Sequence, residues 1–240
     1  MTGAMAASAA MQRRPEPRLV PADAAQILLG WQRNARSAMQ WLHRDWLALA
    51  LGIEYQTGVD ATLAALRERC DEACSLAVLR VLLPESPTLE TFIHAPAARL
   101  DALPVETGLR VLRMLALLAR RAEVRRLVDR TTRKRLAQWI GCPLDELLGK
   151  AMPEAPSLVD AKREHPGSLA LGSLDADALA HQGLALLPRN GTHQTLLKFA
   201  LPRADSEPQA MFANDERDEA SAFLRERIGP LLPEYAWLSG

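Results

Sequence analysis

Apolar residues along this chain recur mostly at intervals of three and four, the spacing that gathers them on one face of an α-helix. The pattern is clearest over residues 108–148. There Leu109, Leu112, Leu115 and Leu118 are followed by Val124, Leu127 and Val128, then by Leu136, Trp139 and Ile140. The same spacing predicts a helix over residues 23–39, with Ile27, Leu28 and Trp31 on one side. It predicts a long one over residues 60–83, through Leu63, Leu66, Cys70, Ala73, Leu76 and Leu79. Between these, residues 41–53 read WLHRDWLALALGI, with two tryptophans flanking His43 and Gly52 marking an end or a bend. One or two short helices are expected over residues 88–103, and further helices over residues 175–187 and 215–228.

Polar and breaking residues punctuate the pattern. Pro84 stops the long helix. Within the central stretch, Arg120 and Arg121 mark a joint, and Asp129 or Thr131 can cap a new helix by accepting a backbone N–H. Gly141 can end it in a left-handed conformation, and Pro143 opens a short helix with Asp145 and Glu146 in its first turn. Residues 195–201, TLLKFAL, are too short for periodicity to choose between a strand and a helical turn. Residues 149–157, 188–193 and 202–210 read as loops, and the closing GPLLPEYAWLSG is expected to fold back onto the body through Tyr235 and Trp237. Residues 1–20, small and then Arg/Pro-rich, read as an unstructured tail. The fold class is therefore an all-α protein, a single compact domain over residues 21–240. A minor short strand is admitted in its C-terminal third.

Composition supports the helical reading. Hydrophobic residues make up 48% of the 240 positions and aromatic ones only 5%, so the core is built largely from Ala and Leu, which lose little freedom in a helix. There is no run of 18 apolar residues to cross a bilayer, and Arg13 and Arg14 follow the small N-terminal residues, the reverse of a signal peptide. A cytoplasmic protein is expected. Three cysteines without a CxxC spacing argue against a disulfide scaffold or a zinc site, although Cys70 and Cys74 stand one helical turn apart.

Charge changes the picture more. The formal net charge is zero, yet from Leu109 to Ile140 ten bases face only Glu123 and Asp129, a local charge of +8. The bases are Arg110, Arg113, Arg120, Arg121, Arg125, Arg126, Arg130, Arg133, Lys134 and Arg135. Such a run reads as a solvated helical face, as a dock for an acidic protein partner, or as a nucleic-acid surface that neutralises phosphates. A membrane-surface helix is a further reading, although the bases do not flank an unusually apolar face. The balanced total charge, the acids at residues 215–219 and the lack of an aromatic stacking platform weigh against nucleic acid. Phosphate-cradling, metalloprotease and nucleophile-elbow motifs are absent, and His43, His94, His165, His181 and His193 are scattered. No catalytic residue, metal ligand or cofactor is expected. An enzyme whose site is assembled only by the fold stays as a further alternative.

Two stretches carry a family resemblance. WLHRDWL, residues 41–47, resembles the aromatic-x-His-Pro-Ser-Trp element near the N-terminus of SctK-type proteins of the bacterial type III secretion sorting platform. Trp41, His43 and Trp46 stand at the matching positions, and Arg44 and Asp45 replace the Pro-Ser pair. The central stretch is similar in its succession of leucine-rich helix, basic turn and R-R-L-V-D-R-x-x-R-x-x-L, carried by Arg125, Arg126, Leu127, Asp129, Arg133 and Leu136. Residues 183–187, then Leu197-Lys198-Phe199, look like the family's late region. The final LLPEYAWLSG looks like the C-terminus of its plant-associated and related proteobacterial branch. The resemblance implies a mostly helical, non-enzymatic adaptor docked at the cytoplasmic face of the inner membrane. It would link the ring protein SctD to the pod protein SctQ, and through SctQ to SctL and the ATPase SctN, without nucleic acid or direct membrane insertion. Arg120, Arg121, Arg125, Arg126, Arg130, Arg133 and Arg135 are the expected contact surface. Trp41, His43 and Trp46 read first as core positions and second as interface anchors. The alternative is a helical nucleic-acid-binding regulator using the basic stretch 110–135.

Overall fold

The computed structural model describes residues 20–53, 59–69, 71–149, 173, 175–187, 195–203 and 214–239. Residues 1–19 of the expected tail, the loops expected at 150–157 and 188–193, and most of that at 202–210 lie outside these residues, as does Cys70. Among the described residues every regular element is a helix, so the protein is all-α.

Helix α1 (Pro21–Arg36) opens on a proline whose missing N–H costs nothing in the first turn, with Asp23 at the positive end of the helix dipole. The expected helix 23–39 breaks at Ser37, whose hydroxyl donates back to the Arg33 carbonyl at 2.9 Å. A single turn, α2 (Ala38–Trp41), follows, and α3 (Arg44–Leu51) ends at Gly52, whose φ of 63° is the left-handed conformation that glycine accepts without strain. The long helix expected over 60–83 is two, α4 (Val59–Arg69) and α5 (Glu72–Leu82). Asp71 forces the restart: its carboxylate accepts from the Cys74 amide at 3.0 Å and caps α5.

Thr88 caps α6 (Leu89–His94), and a 3₁₀ segment (Pro96–Ala102) leads into α7 (Val105–Ala119). Helices α8 (Arg121–Arg126), α9 (Arg130–Ile140) and α10 (Leu144–Leu148) complete the central stretch, with Asp129 and Gly141 (φ 75°) in the capping roles expected of them. Asp175 caps α11 (Ala176–Leu186). The ambiguous TLLKFAL segment is a 3₁₀ turn (Leu196–Ala200), not a strand: Thr195 caps it, and its carbonyls at Phe199 and Leu201 are taken by the His43 amide and the Trp46 indole rather than by a neighbouring strand. Helices α12 (Asn214–Glu226) and α13 (Ile228–Leu231) and a last 3₁₀ segment (Pro233–Ser239) close the chain.

Helix α7 lies at the centre. Residues from Val111 to Leu118 are buried all round it, as expected of a helix with no solvent face. Helix α11 packs against it backbone to backbone: a Cβ on Gly183 would stand 1.8 Å from the Leu112 carbonyl oxygen, so only glycine fits. A second cluster joins Met39, Leu42, Leu47, Leu63 and Leu79 to Phe199. A third holds Ile27, Phe92 and Ala98. Trp31 packs into the second and third clusters, Trp237 into the first and third, and the turn at 196–200 supplies Leu197 to the first and Phe199 to the second. These shared residues make the clusters one domain.

Candidate docking surface

The basic stretch divides into an inner and an outer set. Arg113 is only 6% exposed. It donates to the Glu106 carboxylate at 2.8 Å and to the carbonyls of Trp139 and Ala176 at 3.2 Å, fastening α7 to the end of α9 and the start of α11. Arg120, expected on the contact surface, is 7% exposed. Its guanidinium pairs with Glu123 at 2.6 Å and reaches Gln182 of α11 at 3.3 Å.

Three further arginines are engaged at the edges. Arg121 pairs with Glu219 on α12, Arg133 with Asp145 on α10 at 2.9 Å, and Arg135 lies 5.1 Å over the Trp139 ring. Arg125, Arg126, Arg130 and Lys134 are exposed, and no carboxylate among the described residues lies at ion-pair distance from any of them. They surround the α8–α9 elbow. Val124 anchors this elbow in the core and Leu127 is half-buried, but the neighbouring Val128 is 89% exposed. Asp129, the one acid in the bend, is committed to capping: its carboxylate accepts from the Thr131 amide at 3.1 Å, the Thr132 amide at 2.8 Å and the Thr132 hydroxyl. The Thr132 hydroxyl first, and then the two amides, hold its carboxyl below the ordinary aspartate range.

The Trp41–His43–Trp46 element sits elsewhere, at the corner between α2 and α3. The Trp41 indole donates to the Asn34 carbonyl at 2.8 Å, and the Trp46 indole to the Leu201 carbonyl at 2.9 Å. Trp46 meets Phe199 edge to face at 5.1 Å, and Lys198 lies 5.7 Å over its ring. His43 caps α3, its Nδ1 accepting from the Asp45 amide at 3.3 Å, while its own amide donates to Phe199. All three are half-buried; His43 and Trp46 clasp α3 to residues 196–201, and Trp41 ties α2 back to α1. Their geometry is that of a structural joint, remote in the fold from the basic elbow.

Three buried polar residues went unread in the sequence. Arg99, 1% exposed, donates to the carbonyls of Phe92 at 2.9 Å, Leu238 at 3.1 Å and Ile93 at 3.3 Å, tying α6 to the last 3₁₀ segment. Burial lowers its affinity for a proton, and the charge of Asp23 opposes the shift. Asn34 bridges α1 to the carbonyls of Asp101 at 2.7 Å and Leu103 at 2.6 Å. Asp101, fully buried, accepts from the Thr195 hydroxyl. No motif announces such contacts, because each joins positions far apart in the chain.

The remaining chemistry is sparse. Cys142 is half-buried, and burial together with the charge of Glu146 pushes its thiol up to about 11, which makes it a poor nucleophile at neutral pH. An open groove of about 510 Å³ between α1 and α5 is lined by Leu29, Arg33, Arg36, Asp71, Glu72 and Ser75. No helix of the described residues is long and apolar enough to cross a membrane.

The chain is a bacterial type III secretion protein: residues 20–234 match the HrpB4 family model, and it belongs to that family. The match runs from the cap of α1 into the last 3₁₀ segment, so it takes in every helix described above. No curated protein and no solved structure gives a significant match.

Proposed function

We propose that this protein is an SctK-type adaptor of the secretion sorting platform, joining the inner-membrane ring protein SctD to the pod protein SctQ, and through SctQ to SctL and the ATPase SctN. It acts by docking, without chemistry of its own, and export depends on it. The observation that carries this reading is the match of residues 20–234 to a type III secretion family, on a chain with four exposed cations that have no carboxylate at ion-pair distance among the described residues. Surface charges of this kind set the rate of encounter and the choice of partner, while packed apolar groups hold the complex. The likeness of Trp41, His43, Trp46 and the R-R-L-V-D-R stretch to SctK-type proteins supplies the particular partners.

Within this reading the contact set centres on the exposed Arg125, Arg126 and Arg130, with Arg121, Arg133 and Arg135 at its border, and leaves out the buried Arg120. Affinity capture of the full chain from secreting cells is expected to recover the SctQ and SctD homologues. Recovery of neither at low salt overturns the adaptor. The nucleic-acid alternative predicts filter retention of mixed DNA and RNA that falls steeply with salt, and the adaptor predicts none.

A further inference from the structure

We infer that the α8–α9 elbow is a peripheral membrane contact that rests on anionic phospholipid headgroups, with Val128 at its apex entering the headgroup layer. The setting at the inner membrane comes from the adaptor reading; the lipid chemistry comes from the elbow itself.

From Arg125 to Thr131 every residue but Leu127 is exposed. Its charge is mainly positive: Arg125 and Arg126 lead into the bend and Arg130 and Lys134, one helical turn apart, lead out of it, against the single carboxylate of Asp129, which caps α9 through the Thr131 and Thr132 donors. At the turning point stands a branched aliphatic side chain, 89% exposed, the most exposed of the protein's large hydrophobic residues that are described. In water that residue gains nothing. Beside a bilayer it buries its methyl groups while the flanking cations stay at headgroup level.

Four cations around one exposed aliphatic side chain fit a broad, diffuse anionic surface. No shaped counterpart is needed, because each basic residue near such a surface adds about fivefold to partitioning, within a Debye length and with little regard to its precise position. A single aliphatic tip with a few cations gives weak, reversible binding. That would orient an adaptor whose lasting hold comes from protein contacts.

The test is co-sedimentation of the purified full chain with phosphatidylethanolamine vesicles containing phosphatidylglycerol, against vesicles of phosphatidylcholine alone. Binding to the anionic vesicles that falls as salt rises is expected, with none to the zwitterionic ones. Arg125→Gln with Arg126→Gln should lower the partition coefficient roughly twentyfold. Val128→Asp should lower it further than either charge change alone, and Val128→Leu, which adds one methylene at an exposed position, should raise it about fourfold. Folding is checked by an unchanged thermal midpoint in each variant. Equal binding to both vesicle types, no sedimentation with anionic vesicles at low salt, or indifference to all the elbow variants overturns the proposal. If the wild-type chain ignores vesicles but the elbow variants lose capture of SctD or SctQ, the elbow is a protein dock and the lipid contact is wrong. If vesicles bind and capture fails, the adaptor reading falls and this one stands.

Discussion

Arg120 and Arg125 stand one and a half helical turns apart and live in opposite surroundings. Arg120, with Arg113 and Arg99, is sealed inside, each guanidinium distributing its donors among a carboxylate, an amide or backbone carbonyls of other helices. Arg125, with Arg126 and Arg130, faces water. The inner set acts as covalent-like cross-braces in a core of leucine and alanine, where a planar fork of five donors can satisfy several carbonyls at once. The outer set contributes little to folding and is available for binding. A basic run in a sequence is therefore not one surface. Its members separate according to whether the helix they sit on has carbonyl ends within reach.

This contrast can be broken by substitution, beginning inside. Arg99→Leu leaves the carbonyls of Phe92, Ile93 and Leu238 buried without their donor, and should cost roughly 3–5 kcal/mol by urea denaturation. A loss below about 1 kcal/mol would mean the inner arginines are not braces. Arg120→Met removes the links to Glu123 and Gln182 at the α7–α8 joint, and should cost about 2 kcal/mol in the same assay. Arg125→Gln combined with Arg126→Gln should change stability by no more than about 0.5 kcal/mol, since neither side chain has a described partner to lose. An effect as large as that of Arg120→Met would erase the distinction between the two sets.

The smallest effect sharpens the comparison through pH. Arginine keeps its proton when buried, whereas histidine can surrender it. Burial holds His181 of α11 below the ordinary histidine value, against weaker opposition from a hydrogen bond at Pro202 and the charges of Asp177 and Asp175. The unfolded chain therefore takes up a proton at this position first. Its contribution is constant above about pH 6.5 and stability falls as pH drops below it. His181→Gln should flatten that part of the profile of thermal midpoint against pH, while the inner arginines leave it unchanged.

Local chemistry made much of this fold legible. Asp129, Gly141, Gly52 and Asp175 end or begin helices where their side chains or missing side chains say they should, and the joint at Arg120–Arg121 falls where expected. Two breaks were hidden because the apolar spacing runs through them in phase. Asp71 followed by Glu72 was the readable signal of the first, a cap and a first-turn acid; Ser37 gave only its hydroxyl. The candidate surface was legible as charge and not as geometry. Glu123, three positions on, is a local partner for Arg120, but it does not say that the pair faces inward; Gln182, to which Arg120 also donates, lies 62 positions away. The exposure of Val128 was equally hidden, since its spacing fits the apolar stripe that the bend takes it out of.

The clasp between Trp46 and Leu201 spans 155 positions. Synthesis runs from the N-terminus, so Met39, Leu42, Leu47 and the two tryptophans leave the ribosome long before Phe199, the residue that covers them, has been translated. Helix α7 waits in the same way for Gly183. For most of its birth this chain holds two unfinished apolar faces, and closing such long loops is slow. A nascent chain of this design exposes apolar surface for longer than its small size would indicate.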